Sequence, residues 1–119
     1  MLLQAQDATV AICHSGTEGL ADICRRAGIL VAAAGQAGLV DCSFLSPGQV
    51  IIDVGASLDG NGKLLGDVRF DEAEPVAAAI TPVPGGVGAV TTAVLCGHVV
   101  EAAEGADGIS GKIPGRQYL

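Results

Sequence analysis

Short apolar runs, each ended by glycine or by a proline–glycine turn, constrain the fold of this chain more than any other feature. They occupy residues 8–13, 29–34, 49–54 and 77–81, and the turns that close them carry Gly16, Gly35, Gly55 and the stretch Pro82-Val83-Pro84-Gly85-Gly86-Val87-Gly88. Runs of this length, rich in Val, Ile and Ala, read as strands. They are nearly continuous rather than alternating, which is the pattern of parallel strands buried on both faces. Between the first two, Leu20, Ile23, Cys24 and Ala27 recur at helical spacing, with Ser15 and Glu18 at capping-box spacing before them and Gly28 after them. A last helix is expected from about Ala89 to Glu104, and Asp59-Gly60-Asn61-Gly62 reads as a hairpin tip. Strands alternating with helices predict an α/β fold with a mostly parallel sheet flanked by helices.

In open sheets of this kind ligands collect beyond the carboxyl ends of the strands. The turns after Cys13, Ala34, Val54 and Thr81 are therefore the candidate site. The last is the most distinctive. Three glycines in four positions (Gly85, Gly86, Gly88) strip side chains from the turn, and Pro82 and Pro84 stiffen its approach. A bare loop feeding a helix suits a flat or anionic ligand. It is not a phosphate-binding P-loop, which requires a Lys after the second glycine. It is not a dinucleotide fingerprint either, because Thr91 stands at the third glycine position.

Composition narrows the partners. Half of the 119 residues are apolar and mean hydropathy is +0.52, yet no uninterrupted apolar run reaches the roughly 18 residues of a membrane span, so no membrane association is expected. The formal net charge of −7 and the 3% aromatic content argue against nucleic acid, which needs basic surface and stacking platforms. The N-terminus lacks a basic segment and an apolar core, so no signal peptide is read there. Cys13, Cys24, Cys42 and Cys96 form no C-x-x-C pair and read as buried thiols of a reducing, cytoplasmic compartment.

Metal ligands and a catalytic constellation are not evident. His14 stands at a strand end without a paired carboxylate, and His98 lies inside the last helix. Asp67, Asp71, Glu72 and Glu74 read as a solvated acidic face. Residues 1–104 read as one domain and 105–119, without periodicity, as a flexible tail.

Thr81-Pro-Val-Pro-Gly-Gly-Val-Gly88 followed by Thr91 closely resembles a signature of the bifunctional methylenetetrahydrofolate dehydrogenase/cyclohydrolase family. Ala8-Thr-Val-Ala-Ile-Cys-His-Ser15, Ile52-Asp-Val-Gly55 and Gly62-Lys-Leu-Leu-Gly-Asp67-Val68 match further motifs in the same order, so the resemblance covers about residues 1–104. It implies a Rossmann-like NAD(P)-binding domain. It also implies a two-step reaction: oxidation of 5,10-methylenetetrahydrofolate, then hydrolysis of the methenyl product to 10-formyltetrahydrofolate. The resemblance places the dinucleotide, NADP or NAD, against His14, Ser15, Gly35, Gly55, Ala56 and Thr91. It places the folate against Pro84, Gly85, Gly86, Val87 and Gly88. Gly16 stands where many members carry an arginine for the 2′-phosphate of NADP, which weakens the NADP case. Ala56 and Ala89 replace a larger apolar residue and a proline.

The family's Tyr-x-x-x-Lys pair has no counterpart: the one tyrosine is Tyr118, and the lysines are Lys63 and Lys112. No catalytic residue is therefore assigned to this chain. Its glycine-arginine-serine turn is likewise unmatched, and Met1-Leu-Leu resembles the middle of the helix that follows that turn. The domain is thus expected to lack the family's first strand, which is central in a Rossmann order. The expected outcome is re-paired strands, marginal folding, or association as a homo-oligomer or with a complementary chain. The alternative to an enzyme's cofactor domain is a non-catalytic assembly subunit.

Overall fold

The computed structural model describes residues 2–106. They form two compact units, one of residues 13–90 and one in which residues up to 12 join those from 91 onward.

The larger unit is built on a parallel sheet of β1 (Ile29–Ala32), β2 (Val50–Asp53) and β5 (Ala79–Ile80), in the order β1-β2-β5. Ile29 pairs with Val50, Ala32 with Asp53, and Val50 with Ala79. Between β2 and β5 run β3 (Ser57–Leu58) and β4 (Leu64–Leu65), the antiparallel arms of the Asp59–Gly62 hairpin. The Asp59 carboxylate accepts the N–H groups of Asn61 and Lys63, both at 2.8 Å, and these bonds hold its pKa below the ordinary value.

Side chains alternate across a strand, so the two sheet faces part company. Ala32 and Ile51 point into a core completed by Val40, Leu45, Val68 and Ala73. Ile29, Val31 and Val50 point the other way and are 57%, 49% and 37% exposed. The helices on the core side are short: α1 (Leu20–Arg25) and α2 (Phe70–Ala73). Buried Gln49 ties α1 to the start of β2. Its Nε2 donates to the carbonyls of Cys24 (2.8 Å) and Ala27 (2.6 Å), acceptors that a helix end leaves open.

The strands expected at 29–34, 49–54 and 77–81 are present with trimmed ends. The run 8–13 is not a strand. Its composition suits one, but strand structure requires a ladder partner, and no described segment pairs with it. Neither Ser15 nor Glu18 caps α1: the cap position is Gly19, at φ 64°. Cys24 is buried and burial raises its thiol pKa, whereas Cys42 and Cys96 are exposed rather than buried. Asp67 is not part of a solvated face, being fully buried.

The last helix, α3 (Val87–Ala106), starts in the larger unit and continues through the smaller one. Its stretch Val87–Gly105 is long and apolar enough to cross a membrane by length and composition, which corrects the expectation that none is. Counting uninterrupted apolar residues missed it, because Gly, Thr, His and two Glu (Glu101 and Glu104) interrupt the run without lowering its average enough. Val94, Leu95, Val99 and Val100 are exposed on it. Gly105 and Ala106 are helical, and the rest of the expected tail lies outside the described residues.

Candidate functional site

Because β1, β2 and β5 are parallel, the turns after them emerge at one edge of the sheet. These are the turns at 33–36, 54–56 and 81–86. Two buried aspartates and a threonine join them. Asp53, at the end of β2, is 4% exposed. One of its oxygens accepts the N–H groups of Gly55 (2.9 Å) and Asp67 (3.0 Å), and the other accepts that of Val68 (3.0 Å). The backbone N–H of Asp53 donates to Thr81 Oγ1 at 2.8 Å, which fixes the end of β5 to the end of β2.

Asp67 carries the linkage to β1. Its Oδ2 accepts the N–H groups of Ala34 (2.5 Å) and Gly35 (2.8 Å). The segment bearing Asp67 is held in turn by backbone bonds to the loop after β1: Gly38 N–H to the Gly66 carbonyl, and Val40 N–H to the Asp67 carbonyl. Neither aspartate has an ion-pair partner among the described residues. Oriented N–H dipoles compensate the charge instead. Asp67 Oδ1 is buried and accepts no hydrogen bond among the described residues.

Glycines fall into two kinds at this edge. Gly55 and Gly66 lack side chains because protein fills the space. A Cβ on Gly55 would meet the Asp67 carboxylate at 2.5 Å, and one on Gly66 would strike the Asp53 carboxylate. Gly86 is similarly closed by the Pro82 carbonyl. Gly35 (φ +67°) and Gly85 (φ +101°) are different: both take left-handed backbone, and among the described residues nothing beyond the adjoining ones comes within 4 Å of a Cβ built there. The bare, open backbone that a flat ligand requires is therefore at Gly35, Gly85 and Gly88.

The other sequence-predicted residues are distributed as follows. Ala56 and Pro84 are exposed, Val87 is half-buried, and the peptide before Pro84 is cis. His14 and Ser15 lie in a separate turn. His14 Nδ1 accepts the Gly16 N–H at 3.1 Å, and the His14 N–H donates to Thr17 Oγ1 at 2.9 Å. Thr91 is an exposed residue of α3 within the smaller unit. A cavity of about 380 Å³ opens beside the site, lined by Asp53, Lys63, Gly66, Val68, Arg69 and Val83 among others, and none of the sequence-predicted residues lines it. Sequence reasoning missed Asp67, Asp53 and Thr81 as site-building residues. The available signal was position: Asp53, in Ile52-Asp-Val-Gly55, and Asp67, in Leu65-Gly-Asp-Val68, each interrupt apolar sequence, where a solvated carboxylate is out of place.

A parallel α/β sheet with open glycine turns at its carboxyl edge defines a nucleotide-binding type of domain. Comparison with known proteins makes the assignment specific. The chain belongs to the tetrahydrofolate dehydrogenase/cyclohydrolase family, matching its NAD(P)-binding domain over residues 1–107. It is 55% identical over 111 residues to the bifunctional protein FolD of Carboxydothermus hydrogenoformans, covering 92% of this chain and 39% of that protein. The crystal structure of the bifunctional dehydrogenase/cyclohydrolase from Campylobacter jejuni superposes with a TM-score of 0.83 at 37% identity, over 88% of this chain and 37% of that one. The Trypanosoma brucei enzyme, complexed with NADP cofactor and inhibitor, superposes with a TM-score of 0.69 at 50% identity, over 76% of this chain and 33% of that one. The chain thus spans well under half the length of these relatives. The family match also contains all of α3, which makes that helix an element of the NAD(P)-binding domain.

Proposed function

We propose that this chain is the dinucleotide-binding part of an enzyme that oxidises 5,10-methylenetetrahydrofolate and hydrolyses the methenyl product to 10-formyltetrahydrofolate. The observation that carries the reading is the joined edge of the sheet, where Asp53, Asp67 and Thr81 hold three turns in fixed relation and leave Gly35 and Gly85 open. When bound, the dinucleotide supplies a nicotinamide ring that accepts hydride. The protein's part is to bind and orient. Gly35, Gly55, Ala56, His14, Ser15 and Thr91 are assigned to the dinucleotide, and Pro84, Gly85, Gly86, Val87 and Gly88 to the folate. Fixing two flat rings face to face removes orientational freedom that hydride transfer would otherwise have to lose.

The reading places the enzyme in the cytoplasm and assigns the chain no catalytic residue. It further holds that the domain works as a homo-oligomer or beside a complementary polypeptide. Its apolar faces, Ile29 and Val31 on the sheet and Val94 and Leu95 on α3, support that part. Calorimetric titration of the full chain with NADP+ and with NAD+ tests the binding function, and saturable binding of at least one is expected. An assay at 340 nm with methylenetetrahydrofolate and either dinucleotide should show no turnover by this chain alone. Absence of binding to both dinucleotides would remove the proposal.

A further inference from the structure

Asp67 does more than brace the turn after β1: it determines which polar groups that turn presents. Its Oδ2 takes two consecutive N–H groups, those of Ala34 and Gly35. The peptides that contain them are trans, since the one cis bond among the described residues is Val83–Pro84. In a trans peptide the carbonyl points opposite to the N–H. With both N–H groups drawn inward to Asp67, the carbonyls of Ala33 and Ala34 are turned the other way. Both residues are exposed, and neither carbonyl accepts a hydrogen bond among the described residues. Gly35, next along, faces open space.

We infer that residues 33–35 form a hydrogen-bond acceptor subsite, set by Asp67, that takes an N–H or O–H donor of the ligand and rejects its phosphates. This turn is the opposite of the usual glycine turn at a strand end, where free N–H groups hold an anion. Here the donors are consumed by a buried carboxylate, and a phosphate would meet two carbonyl oxygens with a carboxylate behind them. The inference deepens the cofactor reading and rests on it for the choice of ligand. Of the donors a dinucleotide carries, which include the adenine amine, the two assigned to this subsite are the carboxamide NH₂ of nicotinamide and the hydroxyls of ribose. The other oxygen, Oδ1, takes no part in this turn and lies on the Gly55 side, 2.5 Å from where a Cβ on that glycine would stand.

The test uses the full chain labelled with ¹³C and ¹⁵N. Through-hydrogen-bond couplings should connect the Ala34 and Gly35 nitrogens to the Asp67 carboxylate carbon, and their absence in the wild type overturns the inference. Nicotinamide and ribose 5-phosphate separate the two donor sources. At least one should shift the carbonyl carbons of Ala33 and Ala34, while nicotinate and pyrophosphate should leave them in place. Movement with pyrophosphate, or with neither donor probe, overturns it. Asp67→Ala should abolish the carbonyl response and raise the dinucleotide Kd about ten-fold or more, whereas Asp67→Asn, which keeps an acceptor oxygen, should stay within about three-fold. An unchanged response in folded Asp67→Ala is equally fatal. Failure of that variant to fold leaves the wild-type couplings and the probes to decide. Because these fragments are titrated separately, loss of dinucleotide binding by the wild type would sink the cofactor reading and leave the subsite to be judged by its own probes.

Discussion

The Asp53 carboxylate accepts the backbone N–H of Asp67 at 3.0 Å, and each of these residues makes a neighbouring glycine obligatory. Asp67 occupies the space a side chain at Gly55 would need, and Asp53 occupies that of Gly66. The two motifs therefore interlock reciprocally, carboxylate against bare backbone on both sides. This is a local account of why Asp-Val-Gly and Gly-Asp-Val occur together in one chain.

Gly66→Ala should be among the most damaging single-methyl changes available. The new Cβ must displace the Asp53 carboxylate from its three N–H donors, and it also crowds Val83 Cγ2, at 2.9 Å. A loss of about 2–4 kcal/mol is expected from overpacking and disruption of a buried charged group. Gly60→Ala, at a position with open space, should change stability by no more than about 0.5 kcal/mol. Urea melts of the two variants beside the wild type compare them directly, and equal midpoints would refute the interlock.

Asp53→Ala removes the acceptor for Gly55, Asp67 and Val68 at once. Three buried or half-buried N–H groups are then unsatisfied, at about 1–3 kcal/mol each if none finds water. The expected loss is at least about 3 kcal/mol, and hydrogen exchange should localise it to the amides of residues 55, 67 and 68. Uniform loss of protection across the sheet would instead indicate general unfolding.

How far the sequence reveals this arrangement depends on how local the causes are. β1, β2 and β5 were legible because short apolar runs closed by glycine, or for β5 by a proline–glycine turn, are a local signal. The run 8–13 carries the same signal and is not a strand, since pairing depends on a neighbour that no residue within it specifies. Asp67 shows the converse. Beside Asp71, Glu72 and Glu74 it looks like one more surface acid, yet it is buried by donors at Ala34 and Gly35, which lie 33 and 32 residues away in sequence. The family signature at 81–88 was legible in full, whereas the distinction between open Gly85 and closed Gly86 required the fold.

Glu72 should contribute to acid sensitivity. Its carboxylate accepts the Cys42 N–H at 3.0 Å and pairs with Arg69 at 3.2 Å, and these contacts lower its pKa from the ordinary 4.5. A group with a depressed folded pKa stabilises the fold fully above its unfolded pKa and loses that contribution as pH falls through the folded one. Its share of stability should thus be full at pH 6, begin to fall near pH 4.5 and be lost as pH drops through the depressed folded-state pKa. Glu72→Gln should lower stability at pH 6 and have a smaller effect at pH 3. A loss that is the same at both pH values would show that the charge is not involved.

Gly16→Arg should shift dinucleotide preference toward NADP+. The position is exposed, in the turn that the family resemblance places near the 2′-phosphate, and an arginine there can form a charge-assisted bond to phosphate. A Cβ would lie 3.3 Å from the His14 ring, so the ring must yield by a few tenths of an ångström. The expected change is about ten-fold in the NADP+ to NAD+ affinity ratio, diminishing as salt is raised. An unchanged ratio in a folded variant would place the 2′-phosphate elsewhere.

The exposed apolar surfaces lead to a prediction about the chain in isolation. A parallel sheet is ordinarily covered on both faces, yet Ile29, Val31 and Val50 are open on one side of this one, and Val94, Leu95, Val99 and Val100 are open on α3. Contiguous apolar surface promotes association when nothing covers it. Sedimentation velocity should therefore show mass increasing with concentration, accompanied by binding of a hydrophobic dye. Replacing Ile29 and Val31 with Lys, or Leu95 and Val99 with Lys, should suppress the association contributed by that surface without lowering the melting temperature, because these side chains contribute little to the core around Ile51. If both pairs of substitutions leave the mass distribution unchanged, some other surface joins the chains. If either lowers the melting temperature by more than about 5 °C, roughly 1 kcal/mol for a domain of this size, that face is already covered within the folded chain.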